Sequence, residues 1–220
     1  MRRQGAQGLV VEGTEPYPWP YDGRLDPGRL ALVVVGCQRW WADRTRAPAE
    51  ALVAIERTAA AMRAAGGLVV LVRHGRPSGA ARRRSLLPRL GEVGWELIPR
   101  LVPDCLTVDA TGVDPFFGSS LDADLRSLGR DTLAVAGLGL ETTVYATMTA
   151  ANDRGYECLA LSDASAYHEP LVGERALRSI TMSGGIFGAV GTSVALCRAL
   201  AATKDGRCGG EGTQRRKELA

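Results

Sequence analysis

Short apolar runs punctuated by glycine dominate the chain, and each has the length and β-branching of a strand buried on both faces. Leu30-Ala31-Leu32-Val33-Val34-Val35 ends at Gly36, and Leu68-Val69-Val70-Leu71-Val72 follows the helix stop Gly66-Gly67. Leu106-Thr107-Val108, Thr132-Leu133-Ala134-Val135-Ala136 (closed by Gly137) and Cys158-Leu159-Ala160-Leu161 repeat the pattern. Between them lie helical periodicities. Ala47 to Ala65 is Ala-rich with Leu52, Ile55 and Met62 on one face, and Thr142 to Arg154 is closed by Gly155. Shorter helices are predicted over Leu121 to Leu128, Glu174 to Met182 and Gly191 to Ala201. Strands alternating with helices predict an α/β fold: a three-layer αβα sandwich on a mostly parallel sheet of five or six strands. There are no internal repeats.

The same pattern divides the chain. Residues 1–29 hold four of the eleven prolines and read as an extended arm, whose aromatics around Tyr17-Pro18-Trp19-Pro20-Tyr21 predict packing on the domain. Residues 30–202 form the α/β domain, with a long connection over 75–100, and 203–220 read as a mobile, basic C-terminal tail. In such a sheet ligands bind beyond the carboxyl ends of the strands. That topology singles out Gly36-Cys37-Gln38, Arg73-His74, Asp109-Ala110 and the stretch from Gly137 to Thr143.

Composition adds limits. With 220 residues, 45% hydrophobic and 23% charged, the chain suits one α/β domain and excludes wholesale disorder. It has no apolar stretch of membrane-spanning length and no apolar signal core, so a soluble cytoplasmic protein is expected. The net charge of +3 belongs to the ends. Residues 203–220 carry five basic and three acidic groups, Arg2 and Arg3 add two more, and 4–202 comes to −1. No nucleic-acid face is implied. The internal basic run Arg82-Arg83-Arg84 reads as a solvated loop.

Both lysines, Lys204 and Lys217, lie near the end; the other 25 basic residues are arginines, and residues 1–203 contain no lysine. Five cysteines (37, 105, 158, 197, 208) without a Cys-x-x-Cys pair, and only two histidines, predict reduced thiols and no metal cluster. No cofactor is expected.

The segments picked out by topology also carry a resemblance. Tyr17-Pro18-Trp19-Pro20-Tyr21-Asp22-Gly23, the run from Ala150 to Leu159 and Gly184-Gly185-Ile186-Phe187-Gly188-Ala189-Val190 resemble the isochorismatase-like cysteine hydrolase superfamily, particularly its biuret and ureidoacrylate hydrolase branch. The likeness covers roughly residues 16–200 and implies the same αβα fold. Members use an aspartate base in an Asp-x-Gln pattern after the first strand, a lysine after the third strand and a cysteine nucleophile opening a helix. Val35-Gly36-Cys37-Gln38 places Gly36 at the aspartate and keeps Gln38. Counting from Phe116 and Leu121 places Ala110 at the lysine, and counting from Gly137 to Val144 places Thr143 at the cysteine. The resemblance therefore implies that all three catalytic side chains are replaced.

What the resemblance leaves is the shell. It implies a cis peptide at Leu138–Gly139, an oxyanion-hole-like pair of N–H groups from Gly139 and Thr143, and aromatic walls at Trp41 and Phe117 beside Gln38. Thr143 could act as a nucleophile only with a base in reach; Cys37 reads as a packed thiol. Asp109, Asp114, Glu141 and His74 are candidate acids or bases, with turn chemistry (Asp109, Asp114) and helix stabilisation (Glu141) as the alternatives. Of the two histidines, His74 is nearer the expected pocket and His168 reads as a surface residue. One member of each pair, Trp40-Trp41 and Phe116-Phe117, is expected to face the core.

The function implied is a repurposed small-molecule tailoring enzyme of secondary metabolism, running cyclisation, isomerisation or dehydration. The alternative is an inactive member that binds a ligand or serves as a subunit partner. Hydrolysis with a substituted nucleophile ranks last. A small-molecule ligand and a homo-oligomer are the expected partners, with neither nucleic acid nor membrane.

Overall fold

β1 (Leu30–Val35) is buried at all six positions, as expected of a strand with helices on both faces. In this computed structural model, which describes residues 9–76, 87–89, 91–98 and 105–208, β1 sits inside a six-stranded sheet. After it come a short helix α1 (Arg39–Ala42), the long helix α2 (Pro48–Ala65), β2 (Leu68–Gly75) and β3 (Leu106–Thr111). The second half runs α3 (Leu121–Ser127), β4 (Thr132–Leu138), a π-helical turn (Leu140–Val144) and α4 (Tyr145–Asn152). It closes with β5 (Glu157–Ala166), α5 (Pro170–Gly185), β6 (Ala189–Gly191) and α6 (Ser193–Cys208). The strand order is β3-β2-β1-β4-β5-β6, and every neighbouring pair is parallel.

Alternation along the strands builds two cores. Leu30, Leu32 and Val34 face one way, against Leu52, Ile55 and Met62 of α2 and Leu196 and Leu200 of α6. Ala31, Val33 and Val35 face the other way, against Leu121 and Leu125 of α3, Met148 of α4 and Ile180 of α5. Helix α2 begins with Pro48, whose missing N–H costs nothing there, and ends at Gly66, whose N–H closes on Met62 and Arg63 carbonyls in a left-handed cap.

The arm packs as its aromatics predict. Trp19 has no exposed surface, and Val11 and Trp19 form an antiparallel bridge. Glu15 pairs with Val190, covering the free edge of β6, and the Tyr17 hydroxyl donates to Glu157 Oε1 at 3.2 Å.

Four elements depart from expectation. α1 and β6 are too short, at four and three residues, to announce themselves by periodicity. β5 runs to Ala166, well past the apolar Cys158–Leu161, through the small and polar Ser162-Asp163-Ala164-Ser165. α6 continues to Cys208 through 203–208, where the tail was expected to begin. The Arg82–Arg84 run and positions 209–220 lie outside the described residues. Among those described, no helix is long and apolar enough to cross a membrane.

If the arm is part of the core, Trp19→Ala should destabilise the whole domain by about 3–5 kcal/mol. Urea unfolding followed by fluorescence would read this; a near-neutral result would mean the arm is dispensable.

Candidate functional site

The sheet order reverses beside β1: β2 and β3 lie on one side, β4 to β6 on the other. Connections leave β1 and β4 in opposite directions, so a crevice opens beyond their carboxyl ends. Gly36 follows β1 there, and Gly139 to Thr143 follow β4.

Positions 36 and 143 lie close together across the two strand ends. Gly36 has φ +66°, and a Cβ built on it would stand 2.5 Å from the Leu138 carbonyl oxygen, 3.2 Å from Thr143 Oγ1 and 3.4 Å from Trp41 Cδ1. A side chain at 36 therefore meets fixed backbone, not a cavity. Thr143 is fully buried, and its hydroxyl donates to the carbonyls of Leu138 (2.8 Å) and Gly139 (3.2 Å). Its one proton is engaged in tying the π-helical turn to β4. The threonine-nucleophile alternative loses its footing, because no base among the described residues is hydrogen-bonded to that hydroxyl.

The oxyanion-hole-like pair is not assembled. The Gly139 N–H donates to the Ala166 carbonyl at 2.8 Å, joining the end of β4 to that of β5. The cis bonds among the described residues are Glu15–Pro16 and Trp19–Pro20, so Leu138–Gly139 is trans, contrary to expectation. Gly139 itself adopts φ +90°, and a Cβ there would lie 3.0 Å from Trp41 Cζ3. The Trp41 indole thus lies across both glycines. It is 3% exposed, a packed cover more than an open pocket wall.

Ala110 pairs with His74 on the edge strand β3 and points into the same core face as Val35 and Val108. Asp109, its neighbour, points to the opposite face and forms an ion pair with Arg73 (Nη2 to Oδ2, 2.9 Å), which in turn lies over Trp95. Asp114 Oδ1 accepts the Phe116 N–H at 2.8 Å, a turn in its ordinary form. Asp109 is thus engaged in an ion pair and Asp114 in a turn. Phe116 is buried against Tyr156, whereas Phe117 is 62% exposed and lines no enclosed wall, a correction to the expected pocket. The core-facing expectation for each aromatic pair holds, since Trp41 and Phe116 are the inward members.

Gln38 is fully buried and structural as well. Its amide nitrogen donates to the His74 and Trp95 carbonyls (3.2 and 3.0 Å), and its Oε1 accepts the His74 N–H at 2.7 Å. This clasp joins the carboxyl ends of β1 and β2. His74 has no exposure; its Nδ1 lies 2.8 Å from the Gly112 carbonyl, which can only accept, so Nδ1 carries the proton. Its Nε2 is buried without a partner among the described residues, and burial pushes its pKa down to about 4. The Cys37 thiol is pushed up to about 12 by burial, consistent with a packed, unreactive thiol.

The pair that sequence reading missed is Glu141 with His168. Glu141 Oε1 accepts the His168 backbone N–H at 2.7 Å, lies 3.1 Å from His168 Nδ1, and accepts the Glu169 N–H at 3.3 Å. The His168 ring packs edge-on to Trp41 with centroids 5.7 Å apart. The expectation that His168 is a mere surface residue is thus overturned. The signal was its distance from a strand end: a strand stopping at Leu161 leaves His168 adrift, but one reaching Ala166 places it two residues beyond the sheet. Among the described residues, no group of three or more His, Cys, Asp or Glu side chains could hold a metal ion.

This fold and this switch-point geometry have clear relatives. The chain matches the isochorismatase domain over residues 30–193 and belongs to that family. A cysteine hydrolase from Pseudomonas syringae pv. phaseolicola 1448A is 26% identical, with a TM-score of 0.74, covering 90% of this chain and 99% of that one. An isochorismatase family protein from Burkholderia thailandensis is 23% identical (TM-score 0.70; 80% and 97% covered). The N-carbamoylsarcosine amidase of Thermoplasma acidophilum shares the fold at 22% identity (TM-score 0.61; 75% and 96%).

Two outcomes test this packing. Gly36 and Gly129 share φ +66°, but nothing lies within 4 Å of a Cβ at Gly129. Gly129→Ala should cost about 1–2 kcal/mol of left-handed strain, and Gly36→Ala distinctly more, because Leu138 must move. Equal losses in urea unfolding would refute the close approach. For His74, the folded pKa near 4 lies below the free value of 6.5, so the unfolded chain binds the extra proton between them. Stability is full above about pH 6.5 and falls toward pH 4, by up to roughly 3 kcal/mol. His74→Asn should flatten that segment of the stability–pH curve.

Proposed function

We propose that this member of the isochorismatase family has given up cysteine-type amide hydrolysis and acts on a small molecule without hydrolysing it, by isomerisation, cyclisation or dehydration. The carrying observation is the packing at position 36, where the Leu138 carbonyl occupies the space that an aspartate would need. The engaged Thr143 hydroxyl and Gly139 N–H support the same reading, as does the absence of lysine from residues 1–203. Shape and hydrogen bonds then carry the chemistry, with proton transfer as the step left available.

The burial of Trp41 over both glycines supports a second reading, an inactive chain that serves as a partner to an active relative. Co-purification with such a relative, and no effect of deletion on small-molecule products, would favour it.

The direct test is a substrate panel of nicotinamide, biuret, a ureido acid and simple esters. No turnover above buffer is expected. Hydrolysis at ordinary amidase rates would sink the proposal.

A further inference from the structure

Glu141 and His168 are arranged as a held base. Neighbouring strands deliver them: Glu141 lies in the π-helical turn after β4, and His168 stands two residues beyond β5. An ionised carboxylate only accepts hydrogen bonds, so His168 Nδ1, 3.1 Å from Glu141 Oε1, carries the proton. The Nε2 lone pair then points away from the carboxylate, the orientation a general base needs. Two backbone N–H groups, of His168 and Glu169, hold the same Glu141 oxygen in place.

Two further observations point to a ligand. The Glu141 side chain is 8% exposed, and its second oxygen, Oε2, is buried with no hydrogen-bond partner among the described residues. Trp41 Nε1, on the ring that packs against His168, is also buried and has no partner among the described residues. A bound hydroxyl or enol would satisfy the first and a carbonyl or enolate oxygen the second. The His168 side chain itself is 28% exposed, which leaves its ring reachable. Arg46, exposed in the connection between α1 and α2, reaches this segment: its backbone N–H donates to the Tyr167 carbonyl and its Nε to the His168 carbonyl at 3.3 Å. A guanidinium beside the base favours an anionic molecule.

We infer that Glu141 and His168 form a general acid–base pair acting on a small anionic, enolisable carbonyl compound, with Arg46 facing its carboxylate. This deepens, and rests on, the non-hydrolytic reading above. His168 Nε2 takes a proton from the carbon beside the carbonyl. The C–H electron pair forms the carbon–carbon double bond, and the carbonyl π pair moves onto oxygen as an enolate. The imidazolium, stabilised by Glu141, returns the proton to oxygen or carbon. No atom is gained or lost, and no oxidant or co-reactant is needed.

The test uses the full chain in D2O with pyruvate, 2-oxoglutarate and phenylpyruvate, reading deuterium uptake at the carbon beside the carbonyl by proton NMR. Exchange of at least one probe should exceed the buffer rate. His168→Gln should lower that increment by about 10²–10⁴-fold, and Glu141→Gln should lower kcat more than it raises KM. Arg46→Gln should instead act mainly on KM. Because His74 is fully buried, diethyl pyrocarbonate should modify His168 in the unmutated protein, abolish exchange, and release it again on hydroxylamine treatment. No exchange above buffer with any probe, or undiminished exchange in folded His168→Gln, would overturn the pair. The exchange assay contains no amide, so failure here is separate from hydrolysis in the amide panel, which would fail the broader reading alone.

Discussion

The carbonyl oxygen of Leu138 organises the centre of this molecule. It ends β4 beside the start of the loop after β1, accepts the Thr143 hydroxyl, and stands where any side chain at position 36 would begin. The approach extends one residue back along β4: a Cβ on Gly137 would run into the Val35 carbonyl oxygen. Glycine at 36, 137 and 139 is what lets the two strands close at the switch point. Closure in turn lets the Trp41 indole rest across Gly36 and Gly139, and Trp41 positions the edge of His168. The crevice that topology opens is thereby narrowed from within.

That constraint sorts the polar groups around it. Gln38, Thr143 and the Gly139 N–H face the centre but bond only to backbone, because buried donors left unpaired are costly. Asp109 and Asp114 lie farther out, one in an ion pair and one in a turn. His74 is neutral by burial. Among the described residues, Glu141 and His168 combine a fixed carboxylate, a reachable ring and an unpartnered oxygen.

Much of the fold was legible because its signals are local. The buried runs at 30–35 and 132–138 and the periodic face Leu52–Ile55–Met62 declare strands and helix without reference to partners. The site was legible only in part. Motif spacing singled out Gly36, Ala110 and Thr143, but their environments were not legible in it. His168 was undervalued because the second half of β5 is small and polar, held as a strand by pairing with β4 across a bulge and not by its own hydrophobicity. Three-residue β6 is likewise a product of pairing, with β5 on one side and the arm through Glu15 on the other.

Residue identity alone determined that residues 1–203 hold no lysine and that no thiol, acid or amine stands at positions 36, 110 and 143. It also determined the αβα layering, because hydrophobic period is written along the chain. Only the tertiary structure decided which way each remaining group points. Alternation turns Asp109 away from Ala110, the left-handed glycines let Trp41 close over positions 36 and 139, and neighbouring strand ends bring Glu141 to His168 across 27 residues of sequence. Those outcomes depend on contacts between distant segments, which no local pattern encodes.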